Sequence, residues 1–141
     1  KVQKINIFPT KKDLGKRNWG RETLLCLISK KISLKMLEMN KGSSGNLQYH
    51  RKKNECGILI SGKLKVEYAT NKKKLKMKIL KKGDVFHFPP GLIHKETAIT
   101  NCVILEASTP YFNDRVRVEK LFNLCENKGL PTTKSKNIIF R

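Results

Sequence analysis

Acidic residues are scarce in this chain of 141 residues: 11 Asp and Glu stand against 31 Lys and Arg, a formal net charge of +20. Aromatic residues are few as well, at 7%, and they are not interleaved with the lysines, so a base-stacking nucleic-acid platform is not indicated. Paired cysteines are missing. Cys26, Cys56, Cys102 and Cys125 lie far apart with no Cys-x-x-Cys, which argues against a zinc ribbon or a disulfide scaffold and leaves buried free thiols as the expectation. No apolar run approaches the roughly 20 residues needed to span a bilayer, so no membrane association is expected. Residues 1–8 lack the apolar core and small-residue cleavage site of a secretory signal, and the cytoplasm is the expected compartment.

What remains is a composition of 38% apolar and 30% charged residues, that of a single soluble domain with a sizeable core. The positive charge is arranged in alternation. In 63–68, Leu64, Val66 and Tyr68 alternate with Lys63, Lys65 and Glu67; in 74–79, Leu75, Met77 and Ile79 alternate with Lys74, Lys76 and Lys78. This predicts a hairpin with one apolar, buried face and one lysine face. Lysines on a sheet exterior protect edges from aggregation. The summed field favours small anionic substrates such as phosphates or nucleotide sugars.

Along the chain, 2–8 alternates enough to be an opening strand, and 11–19 is polar and turn-rich. The apolar runs 22–29 and 32–39 pair through a turn at Lys30 and Lys31, and 41–45 is a loop. Further strands are expected at 56–61, at 85–88, from His94 onward, and at 102–107. Residues 114–124 carry Val116, Val118, Leu121 and Phe122 at helical spacing and predict one short helix capped by Asn113 or Asp114. The tail to Arg141 is loop, with a last strand at 137–140. Many short strands with glycine turns and one late helix make an all-β sandwich or barrel.

Two segments carry the chemistry. In the first, Gln48, His50 and Lys52 alternate and so share one face of a strand, and Glu55 returns to that face after a turn. In the second, Gly83 opens a turn and short strand, Pro89-Pro90-Gly91 makes a corner, and His94 begins the next strand. Imidazole, carboxylate and amide oxygen converging on one face form a divalent-metal site. His87 shares strand parity with Val85 and Pro89; directed into the barrel it is a candidate catalytic group, against a surface role. Arg51, Lys52 and Lys53 could gather a phosphate or carboxylate. Lys52 leads, Arg51 is kept as a second substrate contact, and Lys53 reads as solvated rim. Trp19 reads as a packing residue, and Arg115 and Arg117 as water-facing helix positions.

These segments resemble the two motifs of the cupin superfamily. The first motif is a Gly, His-x-His, a Glu three or four residues on, and a Gly seven beyond the Glu; His50, Glu55 and Gly62 match it, with Lys52 at the second histidine. The second motif is matched by Gly83, Pro89, Gly91 and His94. The resemblance implies a single-domain double-stranded β-helix, or jelly-roll barrel, over residues 1–141, with the first motif at 45–62, the second at 83–98, and the helix and tail at 113–141. Segments 17–24 and 47–55 further resemble the cupin domain of mannose-6-phosphate isomerases. That likeness implies a divalent metal (Zn, Fe, Mn or Ni) on His50, Glu55 and His94, with Gln48 as a fourth ligand. An ammonium is a poor ligand, so with Lys52 in the motif the set is either completed by Gln48 or broken.

The activity implied is that of a sugar or sugar-phosphate isomerase or epimerase on a small anionic carbohydrate, with the metal polarising a carbonyl or hydroxyl and Lys52 or His87 moving a proton. An Fe(II)-dependent dioxygenase and a non-catalytic cupin that binds a small anion are the alternatives. A homodimer paired through edge strands is the expected assembly.

Overall fold

The structure is a computed structural model that describes residues 3–71, 73–126 and 128–139. Among the described residues, eleven strands form two antiparallel sheets: β1 (Lys12–Arg17), β2 (Gly20–Ile28), β3 (Ile32–Met39), β4 (Gln48–His50), β5 (Glu55–Ser61), β6 (Lys63–Ala69), β7 (Lys76–Lys81), β8 (Val85–Phe88), β9 (Ile93–Ala98), β10 (Cys102–Ser108) and β11 (Arg115–Arg117). One sheet runs β1-β2-β3-β10-β5-β8 and the other β11-β4-β9-β6-β7. Their facing sides enclose the core, as a jelly roll requires.

The inward positions divide the barrel into a dry end and a charged end. β3 points Ser33 and Lys35 inward and then Leu37 and Met39; β10, running the other way, buries Cys102 and Ile104 and then Glu106 and Ser108. β5 passes from Glu55 to Leu59, and β9 from His94 to Ala98. The apolar halves meet with Leu64, Val66, Phe86 and Phe88 in one cluster, against which Trp19 packs as expected of it. A smaller cluster of Leu47, Ala69, Ile93 and Val118 closes the outside of the second sheet. Burying these side chains at about 25 cal/mol per Å² of apolar surface supplies the stability that the charged end costs.

Gly62 turns β5 into β6 with φ 92°, and a Cβ there would stand 2.2 Å from the backbone oxygen of Asn101. Gly62→Ala is therefore expected to lower stability by about 2–3 kcal/mol, through left-handed strain plus displacement of the 101–102 backbone, measurable as a drop in Cm in urea.

Several expected elements differ. Residues 3–8 form no strand and are exposed, Ile5 at 83% (Val2 lies outside the described residues); the first strand is instead β1, in the stretch read as turns, with a bulge between Asp13 and Gly15. The hairpin β6–β7 forms, but its register sets Leu80 opposite Leu64 and Lys78 opposite Val66, so Met77 and Ile79 face outward at 59% and 46% exposure. With apolar residues at both 79 and 80, alternation alone could not choose the face; pairing did. The helix over 114–124 is absent. Val116 and its neighbours pair with β4 as β11, and a single 3₁₀ turn, Glu119–Phe122, ends on Asn123 at φ 56°. β-branched valines with an open sheet edge beside them favour the strand. The last strand at 137–140 is likewise replaced, by a 3₁₀ turn at Ser135–Asn137, with residue 140 outside the described residues. All four cysteines are free, yet only Cys102 is buried; Cys56 and Cys125 are exposed. No helix among the described residues is long and apolar enough to cross a membrane.

Candidate metal centre

The charged end of the barrel opens into a cavity of about 770 Å³ whose wall includes Gln48, His50, Glu55, His94, Glu96 and Glu106. Neighbouring strands supply them. Gln48 and His50 are alternate residues of β4; Gln48 pairs with His94 of β9; Glu55 begins β5. Glu55 Oε1 lies 3.7 Å from His50 Nε2 and 3.5 Å from His94 Nε2, and the ligand atoms of the three all fall within 4.8 Å of one another. Donors about 2.1 Å from one shared ion stand roughly 3–4 Å apart, as the two Glu55–imidazole separations do.

The remaining atoms of each side chain are committed elsewhere. His50 Nδ1 donates to Asp114 Oδ1 at 2.9 Å, and His94 Nδ1 donates to the carbonyl of Leu92 at 3.0 Å. In both rings Nδ1 is thus taken up by an acceptor and Nε2 is the nitrogen turned to the site, the one a metal would use. Asp114 is itself held by the backbone N–H groups of Lys52 and Lys53, each at 2.8 Å. Phe88 stacks on His94 with centroids 4.3 Å apart and shields one face of the ring. Burial pushes His94 down to about 4, with Glu55 opposing and His50 adding, so it is neutral at pH 7.

Lys53 is the residue that sequence reasoning misplaced. Read as solvated rim, it is buried, with Nζ 2.9 Å from Glu55 Oε2 and 3.3 Å from Glu106 Oε1. Burial alone would raise Glu55, but Lys53, then His50 and His94, outweigh it and hold the carboxyl well below the usual range. Lys53 thus occupies one oxygen of Glu55 and leaves Oε1 for a cation.

Lys52, expected beside His50, is exposed and lies over Tyr111, 5.9 Å from the ring centroid, outside the cavity wall. β4 ends at His50, so the strand alternation stops there and cannot be extended to Lys52. The motif register shifts accordingly. Counted from His50 as the second histidine, four residues precede Glu55; counted from Lys52, only two do. Gln48 then occupies the first-histidine position, and it does line the cavity. His87 faces outward rather than into the barrel, its Nε2 2.7 Å from Asn54 Oδ1, because β8 turns Phe86 and Phe88 inward. Arg51 bonds the backbone oxygen of Thr133 instead of lining the cavity. Arg115, placed on a water-facing helix by its spacing, is on the cavity wall.

Further from the imidazoles, Glu22 bonds Lys35 Nζ at 2.7 Å and Arg17 Nε at 3.1 Å, and Lys35 lies 4.2 Å from the Phe112 ring centroid. Residues 128–134 run across the mouth as a strap. Thr133 N donates to Arg115 O at 2.7 Å, Arg117 N to Thr132 Oγ1 at 3.0 Å, and Thr133 Oγ1 to Asn113 Oδ1 at 2.9 Å.

Burial, with Glu106 and Glu55 adding and Lys53 opposing, pushes Glu96 up to about 8; burial and Glu55 push Glu106 up to about 7 against Lys53. A carboxyl raised above its ordinary value of 4.5 contributes stability below that value and loses it as pH rises through the raised one. His94 works oppositely but only between about 4 and 6.5. The Tm of metal-free protein should therefore fall between about pH 6.5 and 8.5, and Glu96→Gln should remove much of that slope. Thermal melts across this range on both proteins check it; parallel curves would count against a protonated Glu96.

The cupin family profile matches residues 16–124. A germin-like protein of Arabidopsis thaliana (subfamily 2 member 1) is 36% identical over 63 residues, covering 45% of this chain and 29% of that protein, so the match spans under a third of that relative's length. Among solved structures, the capsular polysaccharide assembling protein CapF from Staphylococcus aureus superposes with a TM-score of 0.69 at 16% identity, over 77% of this chain and 32% of that one. An oxalate oxidase superposes with a TM-score of 0.51 at 20% identity, over 56% and 42%. Both structural likenesses speak for the fold.

Proposed function

The chain belongs to the cupin family, and from that footing we propose that it is a metal-dependent sugar or sugar-phosphate isomerase or epimerase acting on a small anionic carbohydrate. One observation carries the reading. The Nε2 atoms of His50 and His94 and Oε1 of Glu55 converge on the wall of a cavity that also holds Glu96, whose carboxyl has no hydrogen-bond or ion-pair partner among the described residues.

The donor set fits a divalent cation: two imidazoles turning Nε2 to the site, one carboxylate kept ionised by Lys53, and the amide oxygen of Gln48. Held by His50, Glu55, His94 and Gln48, such an ion would supply Lewis-acid polarisation of a substrate carbonyl or hydroxyl. Asp114 and the Leu92 carbonyl keep the two rings oriented for that role. Glu96, two residues past His94 and on the same strand face, holds its proton near neutral pH, so it would act first as the acid, giving that proton to a substrate oxygen, and then as the base, taking one from the neighbouring carbon. Lys52 and His87 were expected to move that proton; both face away from the cavity, and Glu96 takes their place.

A second reading is favoured by the donor set, since two histidines and a carboxylate also make an oxygen-activating iron site. Metal analysis of the purified protein, followed by incubation with mannose 6-phosphate and related aldose phosphates, separates the readings. Bound zinc, manganese or nickel with ketose formation supports the isomerase. Oxygen uptake only with iron supports the oxygenase. No bound metal and no conversion would sink both, and unchanged sugar phosphate recovered from a tight complex would identify a binding protein.

A further inference from the structure

The cations on the cavity wall do not all have counter-ions. Lys35 and Arg17 share Glu22, at 2.7 and 3.1 Å. Lys53 is divided between Glu55 and Glu106. Asp114 is occupied by His50 and two backbone N–H groups. Lys16, Lys128 and Lys134 also lack a counter-ion but are exposed to water; among the half-buried and buried cations of the wall, Arg115 is the one whose guanidinium has no hydrogen bond or ion pair among the described residues.

Its position is fixed by pairing. In the antiparallel ladder of β11 with β4, Arg115 stands directly opposite His50, so the two side chains leave the same face of the sheet, into the cavity. Val116, the residue between, packs on the other side in the cluster with Leu47 and Val118. Arg17 is near enough for its charge to act on Arg115, and burial together with Arg17 weakens the hold of Arg115 on its proton, against Asp114 and Glu22. Two guanidiniums in one half-buried space repel each other, and the geometry that relieves them is a shared, forked anion.

We propose that Arg115, with Arg17 beside it, is the subsite for the anionic group of the substrate, a phosphate monoester or a carboxylate. The proposal rests on the cavity being the substrate site of the reading above. Cross-strand neighbours stand roughly 5 Å apart at Cβ, so the anionic group and the oxygen atoms presented to His50, Glu55 and His94 belong to one small molecule and lie a few atoms apart. Glu22 does not compete for Arg115, since Lys35 and Arg17 already neutralise it.

The test is calorimetric titration of metal-free protein at 150 mM salt with inorganic phosphate and, separately, with malonate. Wild type should bind at least one of them. Arg115→Gln should weaken that binding at least tenfold, Arg115→Lys should fall between, and Lys63→Gln, on the exposed face of β6, should match wild type. Tighter phosphate identifies a phosphate ester, and tighter malonate a carboxylate. Zinc stoichiometry should be the same in wild type and Arg115→Gln, and should Arg115→Gln fail to fold, Arg115→Lys carries the comparison. Wild-type affinity in the Arg115 variants, or no binding of either anion to wild type, overturns the subsite. Because the readout needs neither metal nor turnover, a protein that binds anions through Arg115 yet converts no sugar fails only the enzymatic reading.

Discussion

Replacing Lys53 by methionine should destabilise the metal-free protein by about 3–5 kcal/mol, the cost of stripping one partner from a buried ion cluster. The methionine keeps the length of the stem and removes the charge, leaving Glu55 and Glu106 together without the ammonium that lies 2.9 Å from one and 3.3 Å from the other. One of the two carboxyls must then hold a proton. A divalent cation on Glu55 would take over the neutralising role, so zinc should raise the melting temperature of Lys53→Met more than that of wild type. Equal melting temperatures in the absence of metal would show that Lys53 contributes nothing at this position.

The second large effect is expected at Asp114. Its side chain is fully buried and accepts three hydrogen bonds, from His50 Nδ1 and from the N–H groups of Lys52 and Lys53. Asparagine offers one acceptor oxygen and one amide donor, and three donors already converge there. Either the 52–53 turn loses its anchor, or His50 reverses its tautomer to accept from the amide, which places the proton on Nε2 where a metal should bind. Asp114→Asn should therefore weaken metal affinity by about 10- to 100-fold and cost roughly 2–3 kcal/mol of stability. Competition titration with a chromophoric chelator, beside urea melts, separates the two losses. Metal affinity equal to wild type would remove the orienting role assigned to Asp114.

The two glycine- and histidine-bearing segments made the barrel and three of its donors legible from sequence. Turn chemistry and spacing around Gly62, Gly83 and Gly91 are local, and His50, Glu55 and His94 follow from them. What was illegible depended on contacts between distant segments. Asp114, more than sixty residues from His50 in sequence, sets the turn that carries Lys53 inward and Lys52 outward; nothing local to 51–54 announces this. The helical spacing of Val116, Val118, Leu121 and Phe122 was real but yielded to an open edge at β4. A usable signal was passed over in β3 and β10. Lys35 shares parity with Leu37 and Met39, and Glu106 with Ile104 and Cys102, so each is a charge on an otherwise apolar face. Such a charge demands a partner and marks the cavity wall.

The strap over the mouth has a consequence for how this chain can change. The barrel and its imidazoles are complete by Arg117, whereas residues 128–134 supply one side of the opening and touch the barrel through hydrogen bonds to 113–117, to Arg51 and to Asn18. Only Thr133 of that stretch is buried. Substitutions and length changes there cost little folding energy while reshaping what can enter, so selectivity is free to drift in the tail without disturbing the scaffold that positions the chemistry.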